Sequence, residues 1–358
     1  MLQKLKKALK PILFPFLAIF LSLFVSVFFV MWAKGYSITQ YFTAVSDLIG
    51  TIWNGSFGTE RNVMNTIAEM SPLIFAGVAN AVAFRTGLFN IGVAGQFAMG
   101  MISAGIIGTI PGLNPVVHVI LIILGGILAG TIWGGIPGFL RARFGTSEVI
   151  NTIMLNYISM FLANYIILKT RFGVPGKART PIIEKSAQLT RFMPSAPANI
   201  SIFIAIAVAI FIFWLLWKTT IGYEIRAVGI NPHAAEYGGI SVAKNAILAM
   251  VISGAIAGLG GALHVAGVNH MVQDFMAVPN YGFDGIAVAL LAKNNPIGCI
   301  ASAVLFAALN TSARALQLNG IPKEIVFLIQ AIIIIFVATD YIMKYFEEKK
   351  KKGAIING

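Results

Sequence analysis

Residues 283–310 read FDGIAVALLAKNNPIGCIASAVLFAALN, two apolar, small-residue runs either side of a polar centre. One membrane-spanning helix needs about 20 residues, so twenty-eight are too many for a single crossing. The centre, Lys293-Asn294-Asn295-Pro296, supplies the break, because proline cannot continue a helix and asparagine favours turns. The stretch therefore reads as two apolar helices joined by a short polar connection. Further apolar segments lie at about 11–33, 62–84, 88–110, 116–140, 147–168, 200–217, 245–267 and 325–346, which brings the expected total to ten spans. An even number leaves both termini on one side.

Composition points the same way. Of the 358 residues 58% are apolar and 11% are charged, against about 25% charged in a soluble domain. So few charges could not cover the surface of a soluble fold of this length. Soluble enzymes, disulfide scaffolds and disordered regulators are excluded together. The net charge of +13 marks no nucleic-acid partner. In a membrane protein the Lys and Arg excess gathers on the cytoplasmic side and sets orientation. Lys4, Lys6, Lys7 and Lys10 before the first span, and Lys349 to Lys352 after the last, place both termini inside. The basic loop 170–199, with Arg171, Lys177, Arg179, Lys185 and Arg191, then falls outside and runs against the rule.

Catalytic chemistry finds no footing. Cys299 is the single cysteine, and His118, His233, His264 and His270 are scattered without metal-ligand spacing. Gly173-Val-Pro-Gly176-Lys177-Ala178 resembles the end of a phosphate-binding loop. Arg171 stands where such a loop needs glycine, however, and Ala178 where it needs Ser or Thr. No H-E-x-x-H and no nucleophile–base pair is present, so neither a catalytic residue nor a cofactor nor a metal is expected.

Glycines recur every four residues at Gly126, Gly130, Gly134 and Gly138, and small residues do so at Ser253, Ala257 and Gly261. This spacing lets helix backbones approach closely. A faint repeat links Phe89–Ala94 with Phe283–Val288, and Ser147–Ile150 with Lys323–Val326. In the topology above, the first member of each pair starts a helix at the inner face and the second at the outer face. Residues 61–168 and 245–346 then form two inverted four-helix units. Around them lie a first span with an outer segment (1–60), a cytoplasmic loop (218–244) and a basic tail (347–358).

Polar groups inside spans are the candidates for a pathway. Glu148, Thr152, Asn156 and Ser159 form a stripe on one helix face with Asn151 beside it. Asn90 and Gln96 flank the start of the third span, Asp284 the eighth, and Glu324 and Gln330 the tenth. Asn90, Gln96, Asn151, Thr152, Asn156 and Asp284 are taken as the candidate substrate pathway. The alternative reading is that the amides bridge helices and the two glutamates favour helix N-termini.

The longest inner loop carries Asn231, a good N-cap, Pro232, suited to the first helical position, and Gly238-Gly239, a helix terminator. Pro232–Tyr237 is then a helix of one to two turns, too short to exist for its own stability and suited to docking on another protein.

Three stretches, GLFNIGVAGQ at 87–96, RAVGINPHAAEYGGI at 226–240 and YGFDGIAVALLA at 281–292 followed by Asn295-Pro-Ile-Gly298, resemble the permease subunits of ABC importers for branched-chain amino acids, simple sugars and nucleosides. The third stretch resembles the nucleoside branch in particular. The resemblance implies the ten-helix fold of vitamin B12 importers, a bacterial plasma membrane and a dimeric pathway. It implies three partners: an ABC ATPase, a second homologous permease and an extracellular substrate-binding lipoprotein. Arg226, Asn231, Ala234, Ala235, Glu236 and Gly238 would contact the ATPase. A simple-sugar importer and an ion-coupled secondary transporter remain the alternatives.

Overall fold

The computed structural model describes residues 20–336. The basic clusters at 4–10 and 344–352 and the tail 347–358, on which the orientation rests, lie outside the described residues. Thirteen α-helices account for the described chain, and no strand forms among these residues. In order they are α1 (Phe20–Lys34), α2 (Tyr41–Phe57), α3 (Glu60–Arg85), α4 (Val93–Ile107), α5 (Pro115–Phe144), α6 (Glu148–Lys169), α7 (Ser201–Lys218), α8 (Thr220–Ile230), α9 (Pro232–Tyr237), α10 (Val242–His264), α11 (Tyr281–Leu291), α12 (Pro296–Leu318) and α13 (Glu324–Phe336).

Six of these, α3, α5, α6, α7, α10 and α12, are long and apolar enough to cross a membrane, and α1, α4, α11 and α13 are shorter apolar helices. They coincide with the ten apolar segments of the sequence. The protein is a multi-pass helical membrane protein. The break in 283–310 falls as read. Lys293 and Asn294 both take the left-handed conformation, with φ 53° and 55°. Asn294 N–H donates to Ala289 O at 2.8 Å and Lys293 N–H to Leu290 O at 2.9 Å, the paired bonds that close a helix C-terminus.

The described chain divides into two compact units. The larger, 63–307, is built on α10. It packs most extensively against α5 and then α4, and the seam with α5 is made of glycine. A Cβ on Gly130 would strike Gly254 O, and one on Gly258 would strike Gly126 O. The backbones touch, so the small-residue spacing does serve close approach. Burial runs all round α3, where 78% of its apolar window is enclosed, against 22% for α5. A helix buried on every face is central, while α5 shows Leu128 and Ile132 outward. In the smaller unit, 20–62 with 308–336, Tyr41 Oη donates to Phe24 O at 2.9 Å, and Gln330 Nε2 donates to Asn310 Oδ1 at 2.8 Å.

Helices α4 and α11 are too short to cross. At 15 and 11 residues they rise about 22 and 16 Å, against a hydrocarbon core of about 30 Å. Residues 86–92 are not helical because Gly87, at φ 79°, ends α3 with the same pair of bonds, Gly87 N–H to Phe84 O and Leu88 N–H to Ala83 O. The repeat read from the sequence expects the starts of α4 and α11 on opposite faces. A Cβ on Gly282 would strike Ala94 N, so the two starts lie against each other. Their depth is fixed by Asn90, which donates to Ser253 Oγ at 2.9 Å. Ser253 is the middle residue of the 23 in α10. Two half-helices therefore begin together deep inside the bundle.

The loop 170–199 is an ordered cap over the end of α10. Thr180 N–H donates to Val272 O, Ile183 N–H to His270 O and Leu189 N–H to Ala266 O, at 2.8–2.9 Å. Ile183, Ala187 and Leu189 are buried beneath it.

Candidate functional site

Of the predicted pathway residues, three, Asn90, Gln96 and Asn156, are bonded into the buried segment that leads into α4, and a fourth, Thr152, packs beside Gly92. Asn90 Nδ2 donates to Gln96 Oε1 at 3.1 Å as well as to Ser253 Oγ, and Asn90 Oδ1 accepts from Gly92 N–H at 3.0 Å. Ser253 Oγ passes its own proton to Ala79 O at 2.7 Å. From α6, Asn156 Oδ1 accepts from Gly95 N–H at 2.8 Å while its Nδ2 donates to Ile91 O at 3.0 Å. Thr152 Oγ1 donates to Glu148 O at 2.7 Å, and Ser159 Oγ donates to Asn156 O at 2.6 Å. All of these polar side chains are buried. The network holds the non-helical backbone that leads into α4, where unsatisfied amides would be costly inside a membrane. Asn151 stands apart and donates to Thr146 Oγ1 at 2.6 Å.

Asp284 belongs to a different cluster, which sequence reasoning missed. It stands one turn beyond Tyr281 at the start of α11. Tyr281 Oη lies 3.2 and 3.3 Å from the two carboxylate oxygens of Glu69, on α3. The Tyr281 ring meets His264, from the last turn of α10, at 5.1 Å in a T-shaped contact, and Phe97 of α4 at 5.5 Å. His264 Nδ1 is sealed from solvent without a hydrogen-bond partner. Directly after His264 the helix widens into a π turn, Val265–Asn269, a distortion frequent at functional sites. Glu69, Tyr281 and Asp284 are each partly exposed. The signal for Glu69 was present. It is the tenth residue of a 26-residue apolar helix, and an acid at such depth is a functional candidate by itself. The polar opening of that helix, Glu60-Arg61-Asn62, masks it in a sequence scan.

At the other end of α11 lies the predicted docking loop. Helix α9 forms where expected: Asn231 Oδ1 accepts from Ala234 N–H at 3.1 Å, with Pro232 at the first position. Gly239, at φ 80°, closes it. Asn231, Ala234, Glu236, Tyr237 and Gly238 are exposed, and Ala235 alone of the helix points inward. Tyr237 and Ile230, at 97% and 85% exposure, stand beside a groove of about 520 Å³ lined by Tyr223, Glu224, Ala227 and Ala234. Arg226, in contrast, is engaged within the chain. Its Nε donates to Leu216 O at 2.9 Å, and its guanidinium lies 5.7 Å from the Trp217 ring.

Arg85, the last residue of α3, joins this loop to α11. Its Nε and Nη2 donate to Asn294 O and Lys293 O, both at 2.9 Å, and its guanidinium faces Trp217 at 5.1 Å. A Cβ on Gly229 would strike Arg85 O, so α8 rests directly on this backbone.

No metal-binding cluster exists among the described residues. Comparison with known proteins adds the following. Residues 62–338 match the family described as branched-chain amino acid transport system / permease component. A guanosine ABC transporter permease of Bacillus subtilis, NupP, is 40% identical over 330 residues, covering 91% of this chain and 93% of its own. A nucleoside ABC transporter permease of Lactococcus lactis, NupB, is 40% identical over 306 residues, covering 83% and 84%. A glucose ABC transporter permease of Haloferax volcanii is 28% identical, covering 83% and 81%.

Proposed function

Because the chain belongs to the family of permease components of branched-chain amino acid transport systems, we propose that it is the membrane-spanning subunit of an ATP-driven nucleoside importer. The observation that carries the cargo is the 40% identity, over nine-tenths of the chain, to a guanosine permease. The glucose permease is more distant at 28%, which favours nucleoside over sugar.

ATP binding and hydrolysis belong to a partner ATPase that docks on α9. Glu236, Tyr237, Ala234 and Gly238 face outward for that purpose, while Arg226 and Asn231 hold the loop in shape. A substrate-binding lipoprotein delivers cargo from outside, and a second, homologous permease completes the pathway. Both termini are cytoplasmic, and the two inverted four-helix units of the vitamin B12-importer fold move about the cargo path.

The connections within the chain suggest how motion travels. ATPase closure displaces α9 and α8. Gly229 bears on Arg85, and Arg85 grips the carbonyls that end α11. The shift reaches Tyr281 along a single rigid half-helix.

The test is uptake in cells that lack other nucleoside importers. Labelled guanosine and uridine should accumulate only when this chain and an ATPase with an intact phosphate-binding loop are both present. Accumulation that survives loss of the ATPase but collapses with the proton gradient would establish a secondary transporter instead.

A further inference from the structure

The geometry points to a cargo-recognition site at the start of α11, where Glu69, Tyr281 and His264 receive a neutral, flat solute rich in hydrogen-bond donors. This inference rests on the nucleoside reading above and adds to it where the solute is bound in transit.

Exposure supplies the first argument. Glu69, Tyr281 and Asp284 lie within the apolar helices α3 and α11, yet each is partly exposed. A carboxylate facing acyl chains is among the costliest arrangements a membrane protein can adopt. The surface that exposes Glu69 therefore faces a water-filled path or a partner subunit.

Unused bonding capacity supplies the second. An ionised carboxylate offers about four acceptor positions, and Glu69 meets a single phenol. The two ion pairs seen among the described residues, Lys34–Asp47 and Arg141–Glu148, do not involve it. His264 Nδ1 is sealed with no partner at all. Buried polar groups are normally satisfied, as around Asn90. Asn80 Oδ1 and Asn245 Oδ1, on α3 and α10, are open as well, but the open nitrogen of His264 lies against the Tyr281 ring that Glu69 holds. Glu69 and His264 are left to be completed by something that comes and goes.

Chemistry selects the visitor. Carboxylate oxygens accept from hydroxyl, amide and amino hydrogens. The partly exposed Tyr281 ring, braced by His264 in a T-shaped contact and by the fully buried Phe97 behind it, offers a surface to a flat ring. A nucleoside carries both a ring and a row of donors. The Glu69 carboxylate repels anions, so a nucleoside monophosphate or a bare carboxylate is turned away. A sugar alone would leave the aromatic group without a role.

The experiment uses the whole complex in proteoliposomes, with binding protein outside and ATP beside the ATPase, and follows guanosine, uridine and guanosine 5′-monophosphate. Glu69→Gln should lower nucleoside uptake roughly tenfold or more, the size of one lost charge-assisted hydrogen bond. ATPase stimulation by loaded binding protein should be kept, and monophosphate should become measurable as cargo. Tyr281→Phe, which removes one hydroxyl, should lower uptake severalfold, and it carries the test if Glu69→Gln does not assemble. Uptake within about twofold of wild type in Tyr281→Phe and in any assembled Glu69→Gln complex would overturn the site while leaving the nucleoside reading intact. A wild-type complex that moves no nucleoside would overturn that reading, and the inference with it.

Discussion

Two polar regions meet at the start of the half-helices, and they are built on opposite rules. Around Asn90, Gln96, Asn156 and Ser253 every side chain is buried and the bonds run from one to the next without solvent. Around Glu69, Tyr281 and His264 the groups are partly exposed and one nitrogen has no partner. Both regions consist of amides, hydroxyls, acids or imidazoles placed in apolar helices. Residue type alone does not separate them. What separates them is saturation: the first region uses its polarity to hold irregular backbone inside a membrane, and the second holds its polarity in reserve.

Asn90→Leu tests that difference most severely. It leaves the Gly92 amide and the Gln96 side chain without their partner, at about 1–3 kcal/mol each, and takes one of the two bonds of Ser253 Oγ. Loss of folded protein, or a fall in Tm on the order of 10 °C in detergent, is the expected outcome. An unchanged Tm would place Asn90 with the cargo groups. Asn156→Leu should behave alike, and Gln330→Leu, which breaks one bond to Asn310, should cost far less.

Arg85→Met comes next. Two charge-assisted bonds to the 293–294 turn disappear, a loss of roughly 2–4 kcal/mol. The telling measurement is ATP hydrolysis beside uptake. Uptake should drop several-fold while hydrolysis continues, since the coupling helix stays exposed to its partner. A proportional fall in both would make Arg85 a plain structural residue. Glu236→Arg or Gly238→Pro should give the same split without a large change in Tm, because Glu236 and Gly238 lie on the exposed face of α9.

Glu69→Gln sharpens the comparison from the other side. Replacing a carboxylate held by one phenol with a neutral amide should leave stability unchanged or raise it by about 1 kcal/mol, read as an equal or higher Tm, even as transport falls. A polar substitution that stabilises while it inactivates is the mark of a reserved group.

Much of this architecture was legible in the sequence because strong local rules wrote it. The Lys293–Pro296 break, the Asn231-Pro232 start of α9 and the glycine spacing of α5 each follow from backbone chemistry within a few residues. The position of the α4 start was not legible. Gly87 and Gly92 signal a break in the chain, but only the contact of Gly282 with Ala94 shows that the break lies deep in the bundle. Likewise the stripe Thr152–Asn156–Ser159 has correct helical spacing, and its face turns out to meet the non-helical 90–95 backbone. Glu69 and Tyr281 are 212 positions apart, and no local pattern joins them.

The smallest expected effect comes from an unsaturated group placed outside the spanning helices. His270, at φ 56°, ends the π turn, and its Nε2 lies 2.6 Å from Arg191 Nη2. Arginine can only donate, so Nε2 is the acceptor and the ring is neutral. Burial first, and then the Arg191 charge, hold the imidazole below the usual histidine range. Folding therefore disfavours its protonation. The stability from this contact is full above the unfolded value of about 6.5, and it is lost as pH falls below that value toward the lowered folded one. Wild-type Tm should decline by a few degrees between about pH 7.5 and 5.5. His270→Asn, which tolerates the left-handed conformation, should flatten that decline. An equal slope in the variant would show that the loop is held by its backbone bonds to 266–272 alone. A lost slope would show that this cap, unlike the network around Asn90, leaves part of its stability open to solvent protons.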